Sequence, residues 1–501
     1  LNCKKIMQNE IKFSAQCRIW TGLDMDLIRF NRQDSVTYRD ALSGGISVIG
    51  SSGSGKSSSV CALLVSNALR HGCSVVVSTI KPQDPEYWAG VARSVGCPNI
   101  RVFRPGVDRF NPILYEQQSS SNPAMLAEDL TQQVLLPLRH QRVTGGGSDP
   151  FWISASEQHT RRAMSLYLIA GVPTSYRLIN DTMLTLPRSR EDVTSPDWQR
   201  RCPIFPCLIE AQRNAESPAE RIEIERSADF LLSTVPSTPD NTLGSMIATL
   251  TGPLDPFVGG LIGETLNAET HTWTPDEVID RPGLFMVDTP IQSWGQTGAT
   301  LQRIVFTAIQ RAITRRAAGS MPRPVMLMMD EAQEFLDPDS DPAFMRTARD
   351  RLAFVVLATQ CVDNIRMACS SARDPNAAAK AILALPSVQF FCQTADPETR
   401  RHASEVFGRT RQARVSMSTT DPQRASGGDP KSPGREPSRT RGANVSFDYM
   451  DDVAGIQLAT LKRGGPTNGW KVEALVAGPN PPWKSSGRPS LLVSLPQYRS
   501  G

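Results

Sequence analysis

The residues Gly50-Ser51-Ser52-Gly53-Ser54-Gly55-Lys56-Ser57 follow the spacing G-x-x-x-x-G-K-[ST] and lie between an apolar strand pattern at 46–49 and a helical pattern at 60–69. That is the chemistry of phosphate binding. Glycines let backbone N–H groups turn inward around a phosphate, and the helix N-terminus adds positive dipole. The Lys56 ammonium then reaches the β/γ oxygens, and the Ser57 hydroxyl is a ligand for Mg2+. Gly50, Ser51, Ser52, Gly53, Ser54, Gly55, Lys56, Ser57 and Ser58 are therefore the candidate nucleotide-binding residues. Hydrolysis also needs one carboxylate for the metal shell and another to polarise water. The apolar run at 325–329 ends in Asp330 and Glu331, which assigns Asp330, with Ser57, to the metal and Glu331 to the water.

A second apolar run, 354–358, ends in Thr359-Gln360, whose amide reads either as a γ-phosphate sensor or as a structural strand end. Arg346, Arg349 and Arg351 crowd one short helix upstream. A solvated basic face accounts for them, and so does a finger that neutralises transition-state charge at a neighbouring subunit's nucleotide. Asp337, Asp339 and Asp341 read as a surface turn rather than a metal site.

The elements that must position these groups form an interrupted α/β pattern. Strand and helix patterns alternate through residue 112, long helical segments follow, and strands resume at 284–287, 325–329, 354–358 and 388–392. The expected division is an N-terminal segment at 1–35, a first core part at 36–114, an all-α insertion at 115–250 and a second core part at 251–408. A basic disordered linker or loop at 409–446 and a C-terminal strand extension at 447–501 complete it. Between Arg409 and Gly442 eight basic side chains face three acidic ones with few large apolar residues, a composition that does not offset its ordering entropy.

Across 501 residues, 40% apolar and 21% charged side chains with a net charge of +4 exclude wholesale disorder. No apolar run approaches the length of a membrane-spanning helix, so a soluble chain is expected. The ten cysteines are scattered and read as reduced thiols; Cys202 and Cys207 form a lone C-x4-C pair without a second pair, which argues against zinc.

Taken together these motifs resemble the conjugative coupling ATPases of type IV secretion (TraG/TraD-like), within the wider FtsK/HerA-like group of DNA-pumping ATPases. The resemblance spans about residues 40–410 and rests also on Phe110-Asn111-Pro112, on Phe151-Trp152 with Ala155 downstream, and on Ala358-Thr359-Gln360. It implies an α/β fold: a RecA-like P-loop NTPase core with a mostly parallel sheet, interrupted by an all-α insertion domain. It further implies ATP and Mg2+, a homo-hexamer, sequence-tolerant DNA binding, a secretion or conjugation channel and a relaxase-type cargo. By the same resemblance Lys56, Glu331 and Gln360 are catalytic, and Arg349, eleven residues before Gln360, matches the trans-acting arginine. The expected location is cytoplasmic, at the inner face of the cell membrane, with a membrane contact only if an anchor lies outside this chain. Asp330-Glu331-Ala332-Gln333 is closer to the secretion-energising and HerA-like branches, so a protein-secretion ATPase and a HerA-like translocase stand as the alternatives.

Overall fold

Runs of branched and sulfur-containing side chains with no polar alternation form strands covered on both faces. In the computed structural model, which describes residues 20–120, 125–145, 150–317, 323–370, 372, 374–420, 440–453 and 455–499, thirteen strands occur. They are β1 (Asp26–Arg29), β2 (Ser35–Thr37), β3 (Ile46–Ile49), β4 (Ser74–Val77), β5 (Ile100–Phe103), β6 (Gly283–Val287), β7 (Val325–Met329), β8 (Ala353–Thr359), β9 (Val388–Phe391), β10 (Arg409–Thr420), β11 (Thr440–Asp451), β12 (Lys471–Ala477) and β13 (Ser490–Pro496). Every residue of β3, β4, β6, β7, β8 and β9 is buried.

The main sheet has nine strands in the order β13-β12-β9-β3-β8-β7-β4-β6-β5. The stretch from β9 to β5 is parallel throughout, whereas β12 runs antiparallel to β9 and to β13. Successive side chains of a strand enter opposite layers. In β7, Val325, Leu327 and Met329 pack into one core, and Met326 and Met328 into the other. This is the α/β fold with a mostly parallel sheet that the motifs imply.

The helical insertion enters after β5 and leaves before β6. Its helices run from Pro112 to Asp280, beyond the expected limit of 250, because the helix Asp240–Val258 continues through Pro253 and two short helices follow it. Phe110-Asn111-Pro112 marks its entrance. Phe110 is buried against Trp273, the Asn111 side chain caps the helix Pro112–Ser119 by accepting from Ile113 and Leu114 N–H, and Pro112 opens the first turn. Buried Glu116 then accepts from Arg311 and Arg315, which ties the insertion to the long helix Ile291–Arg315.

The expected loop at 409–446 is corrected at its two ends. Residues Arg409–Thr420 pair in continuous antiparallel register with Thr440–Asp451, and residues 421–439 lie outside the described residues. Composition misled here because the β-forming residues alternate with polar ones, as in Val415-Ser416-Met417-Ser418-Thr419 and Val445-Ser446-Phe447, and a ribbon of that kind needs few apolar side chains. The strand expected at 472–476 is present as β12, with β13 outside it as the sheet edge. Among the described residues no helix is long and apolar enough to cross a membrane.

Candidate nucleotide-binding site

The phosphate-type loop hangs between two neighbouring strand ends. Gly50 N–H donates to Thr359 O at 3.2 Å and Ser51 N–H to Gln393 O at 2.9 Å, so β8 and β9 fix its start. A side chain at Gly50 would meet Cys392 Cβ at 2.7 Å, and one at Gly55, where φ is +89°, would meet Val472 Cγ2 at 2.4 Å. Gly53 also has a positive φ, +71°. The helix begins at Ser57 with one wide turn, Ser57–Cys61, and continues as Ala62–Arg70. Lys56 is 5% exposed, and its Nζ donates to Gly50 O at 2.6 Å and Ser51 O at 3.3 Å. Its ammonium is thus folded back on the loop's own carbonyls. Among the described residues the buried Ser54 Oγ has no hydrogen-bond partner, an unsatisfied donor on the same loop, and Ser52 lies at the exposed tip.

Asp330 and Glu331 lie at the C-terminal end of β7, separated from the loop-bearing β3 by β8 alone. Ser57 Oγ donates to Asp330 Oδ2 at 2.6 Å across 273 residues of sequence. Burial pushes the Asp330 carboxyl above its ordinary value, and the Ser57 hydrogen bond opposes that shift. Ser78, at the end of the neighbouring β4, accepts Asp330 N–H at 3.0 Å. Ser78 carries in the sequence the same signal as Asp330 and Gln360, a polar residue closing an apolar strand.

Glu331 stands in the left-handed region, φ 52° and ψ 60°, a conformation that costs a non-glycine residue about 1 kcal/mol or more and concentrates at functional sites. Both carboxylate oxygens are engaged: Oε1 accepts from Gln360 Nε2 at 2.9 Å and Oε2 from Gln333 Nε2 at 3.0 Å. Gln333 Oε1 in turn accepts Thr359 Oγ1 at 3.0 Å. Gln360 therefore meets the carboxylate at the mouth of the candidate phosphate loop, and Gln333, to which no sequence motif assigns a role, joins it as a second amide.

The three arginines occupy the other end of β8. Arg346 and Arg349 are exposed and Arg351 is half-buried, all before Ala353, whereas Gln360 follows Thr359. A strand of that length spans about 23 Å at ~3.3 Å per residue, so Arg349 is out of reach of its own chain's phosphate loop. Among the described residues its guanidinium has no hydrogen-bond or ion-pair partner.

The expected acidic surface turn is corrected at Asp341. It is 2% exposed and accepts at 2.8 Å on both oxygens from Arg303 Nη1, with Gln310 as a further donor. This buried pair pins the chain after Glu331 to the helix Ile291–Arg315. Among the described residues no group of three or more His, Cys, Asp and Glu could hold a metal ion, and buried Cys202 and Cys207 are free thiols.

His140 links the insertion to the site. One ring nitrogen lies 2.9 Å from Thr300 Oγ1 and the other 3.0 Å from the carbonyl of Glu334, and Gln296 is a further neighbour. Burial, with the nearby Arg303 charge, depresses its pKa to about 4. The fold therefore holds neutral His140 and is stabilised above pH ~6.5; that contribution disappears as pH falls from there through about 4. Wild type should lose roughly 3 kcal/mol more than His140→Gln over that window, measured by denaturant unfolding, and equal losses would refute the assignment.

Comparisons with known proteins agree with this architecture. Residues 324–444 match the family model described as the TraM recognition site of TraD and TraG. A comparison with curated proteins gave no sequence match. The bacterial conjugative coupling protein TrwBdeltaN70, unbound monoclinic form, superposes with a TM-score of 0.56 at 14% identity, covering 92% of this chain and 86% of that one. The plasmid coupling protein TrwB in complex with ADP and Mg2+ gives 0.55 at 15% identity, covering 92% and 87%. TrwB with the non-hydrolysable ATP analogue ADPNP gives 0.53 at 15%, covering 96% and 94%. The fold is thus α/β and RecA-like, the fold of these coupling-protein structures. The resemblance to conjugative coupling ATPases is met in fold over most of the chain and in sequence over residues 324–444.

Proposed function

We propose that this chain is an ATP-hydrolysing motor that moves DNA or nucleoprotein in conjugation or type IV secretion, acting as a coupling protein. The observation that carries the catalytic half is the Ser57–Asp330 hydrogen bond, which joins a metal-type hydroxyl and carboxylate at the mouth of the phosphate loop. Mg2+, when bound there, supplies positive charge to the phosphate oxygens. Ser57 and Asp330 would hold it. Lys56, released from Gly50 O, binds the β/γ phosphates, and Glu331 orients and deprotonates the attacking water while Gln360 and Gln333 hold its carboxylate. The unsatisfied Ser54 hydroxyl and the glycines without room for a Cβ fit the same cradle.

The transport half rests on the match at 324–444, which also supports recognition of a protein partner of the conjugation apparatus there, and on the coupling-protein fold. The working assembly in this reading is a homo-hexamer on sequence-tolerant DNA. The deciding experiment measures ATP turnover with and without single- and double-stranded DNA. DNA-stimulated turnover is the expected result; turnover indifferent to both would favour a protein-secretion ATPase of the same fold. Binding should weaken steeply with salt, because each neutralised phosphate releases counterions and log affinity falls linearly with log salt. A flat salt dependence in a filter-binding or anisotropy titration would contradict a backbone-tracking motor.

A further inference from the structure

The C-terminal end of the chain closes onto the helix that carries the phosphate loop. Ser59 Oγ donates to Pro496 O at 3.0 Å, Tyr498 N–H donates to Ser58 O at 2.6 Å, and Gln497 Nε2 donates to Ser58 Oγ at 2.9 Å. Behind these contacts the packing is tight. Val472 of β12 fills the space a side chain at Gly55 would need, and a Cβ at Gly464 would strike Gln497 Oε1 at 2.6 Å.

The orientation of the Gln497 amide follows from its other partner. Gln497 Oε1 accepts Gly465 N–H at 2.9 Å, and a backbone N–H is only ever a donor, so the oxygen must face Gly465 and the NH2 group must face Ser58. Ser58 Oγ is then an acceptor toward Gln497. A hydroxyl has one hydrogen, and with a lone pair committed here that hydrogen points elsewhere. Among the described residues nothing accepts it. Ser58 directly follows the Lys56-Ser57 pair on the first turn of the helix.

We propose that Gln497 is a positioning residue for nucleotide binding, which turns the Ser58 hydroxyl so that its hydrogen serves an anionic oxygen of a phosphate chain held on Gly50–Ser57. The C-terminal segment, some 440 residues from the loop in sequence, is thereby part of the nucleotide site. This inference rests on the nucleotide-binding reading above.

The test is calorimetric titration of the full chain with ADP and Mg2+, alongside thermal melts of each variant. Gln497→Met keeps the length of the side chain and removes the donor. A hydroxyl-to-phosphate bond is charge-assisted, so its misdirection should weaken ADP roughly tenfold. In a Ser58→Ala background the same substitution should have no further effect. Unchanged affinity in the otherwise wild-type background overturns the proposal, and so does an equal loss in both backgrounds, which would mark a structural role acting through Gly465. If Gln497→Met does not fold, Gln497→Glu carries the test: its carboxylate would capture the Ser58 hydrogen. A tenfold or greater weakening that Ser58→Ala relieves in part supports the proposal, and no weakening overturns it. Lys56→Ala separates the two layers of inference. If it leaves ADP affinity unchanged, the nucleotide-site reading falls and the proposal with it; if it weakens ADP while Gln497→Met does not, only the positioning role falls.

Discussion

Lys56→Ala should abolish ATP hydrolysis, and Glu331→Gln should bind ATP and stall. The two losses have different causes. Removing the ammonium leaves charge on the β/γ oxygens poorly compensated in a buried site, where one preorganised donor is worth roughly 10² to 10³ in rate. At Glu331 the amide preserves the shape and loses the base, so nucleotide affinity should survive while turnover does not. The left-handed backbone at Glu331 and its two amide partners strengthen that distinction. The substituted side chain could still pair with the neighbouring amides of Gln333 and Gln360, so the loop around it should keep its place. Steady-state hydrolysis and equilibrium nucleotide binding, measured on both purified variants, check the pair. Wild-type turnover in both would remove Lys56 and Glu331 from the chemistry.

Arg349→Ala should also bind ATP almost normally and hydrolyse it slowly. The guanidinium is exposed, unpaired among the described residues and about a strand's length from its own chain's phosphate loop, so a catalytic role is open to it only at a neighbouring protomer's nucleotide. Loss of a trans-acting finger costs about 10³ to 10⁵ in rate. An exposed arginine on a solvated basic face is worth at most about 1 kcal/mol, so the magnitudes separate the two readings. Mixing gives the sharper test. In a co-assembly of Arg349→Ala and Lys56→Ala subunits, an interface between unlike protomers can pair an intact Lys56 with an intact Arg349, and two inactive proteins should recover some activity together. Near-normal turnover of Arg349→Ala alone, or an inactive mixture despite demonstrated co-assembly, would transfer the role to Arg346 or Arg351.

What was legible in the sequence was what local chemistry defines. The candidate phosphate loop is one contiguous stretch whose glycines, lysine and serine would act through their own backbone and neighbouring turn, so spacing alone points to it. The acids at the end of the 325–329 run and the amide at 360 were visible for a similar reason: a polar residue ending a buried strand stands out against its apolar run. The fold class followed from the same runs and from the helical stretch that interrupts them.

The tertiary structure decided which of these strand ends meet. Strand order is a long-range property: β8 lies between β3 and β7, which sets Gly50 against Thr359 and brings Ser57 to Asp330, and the pattern of each segment is silent on its neighbours. Asp341 shows the limit most plainly. In sequence it is one more acid in a polar turn, yet the fold buries it against Arg303, because burial depends on what packs above a residue and not on its own polarity. The same reason hid Gln333, Ser78 and Gln497. Each is an ordinary polar side chain whose contact comes entirely from the partner that chain topology places within hydrogen-bond distance.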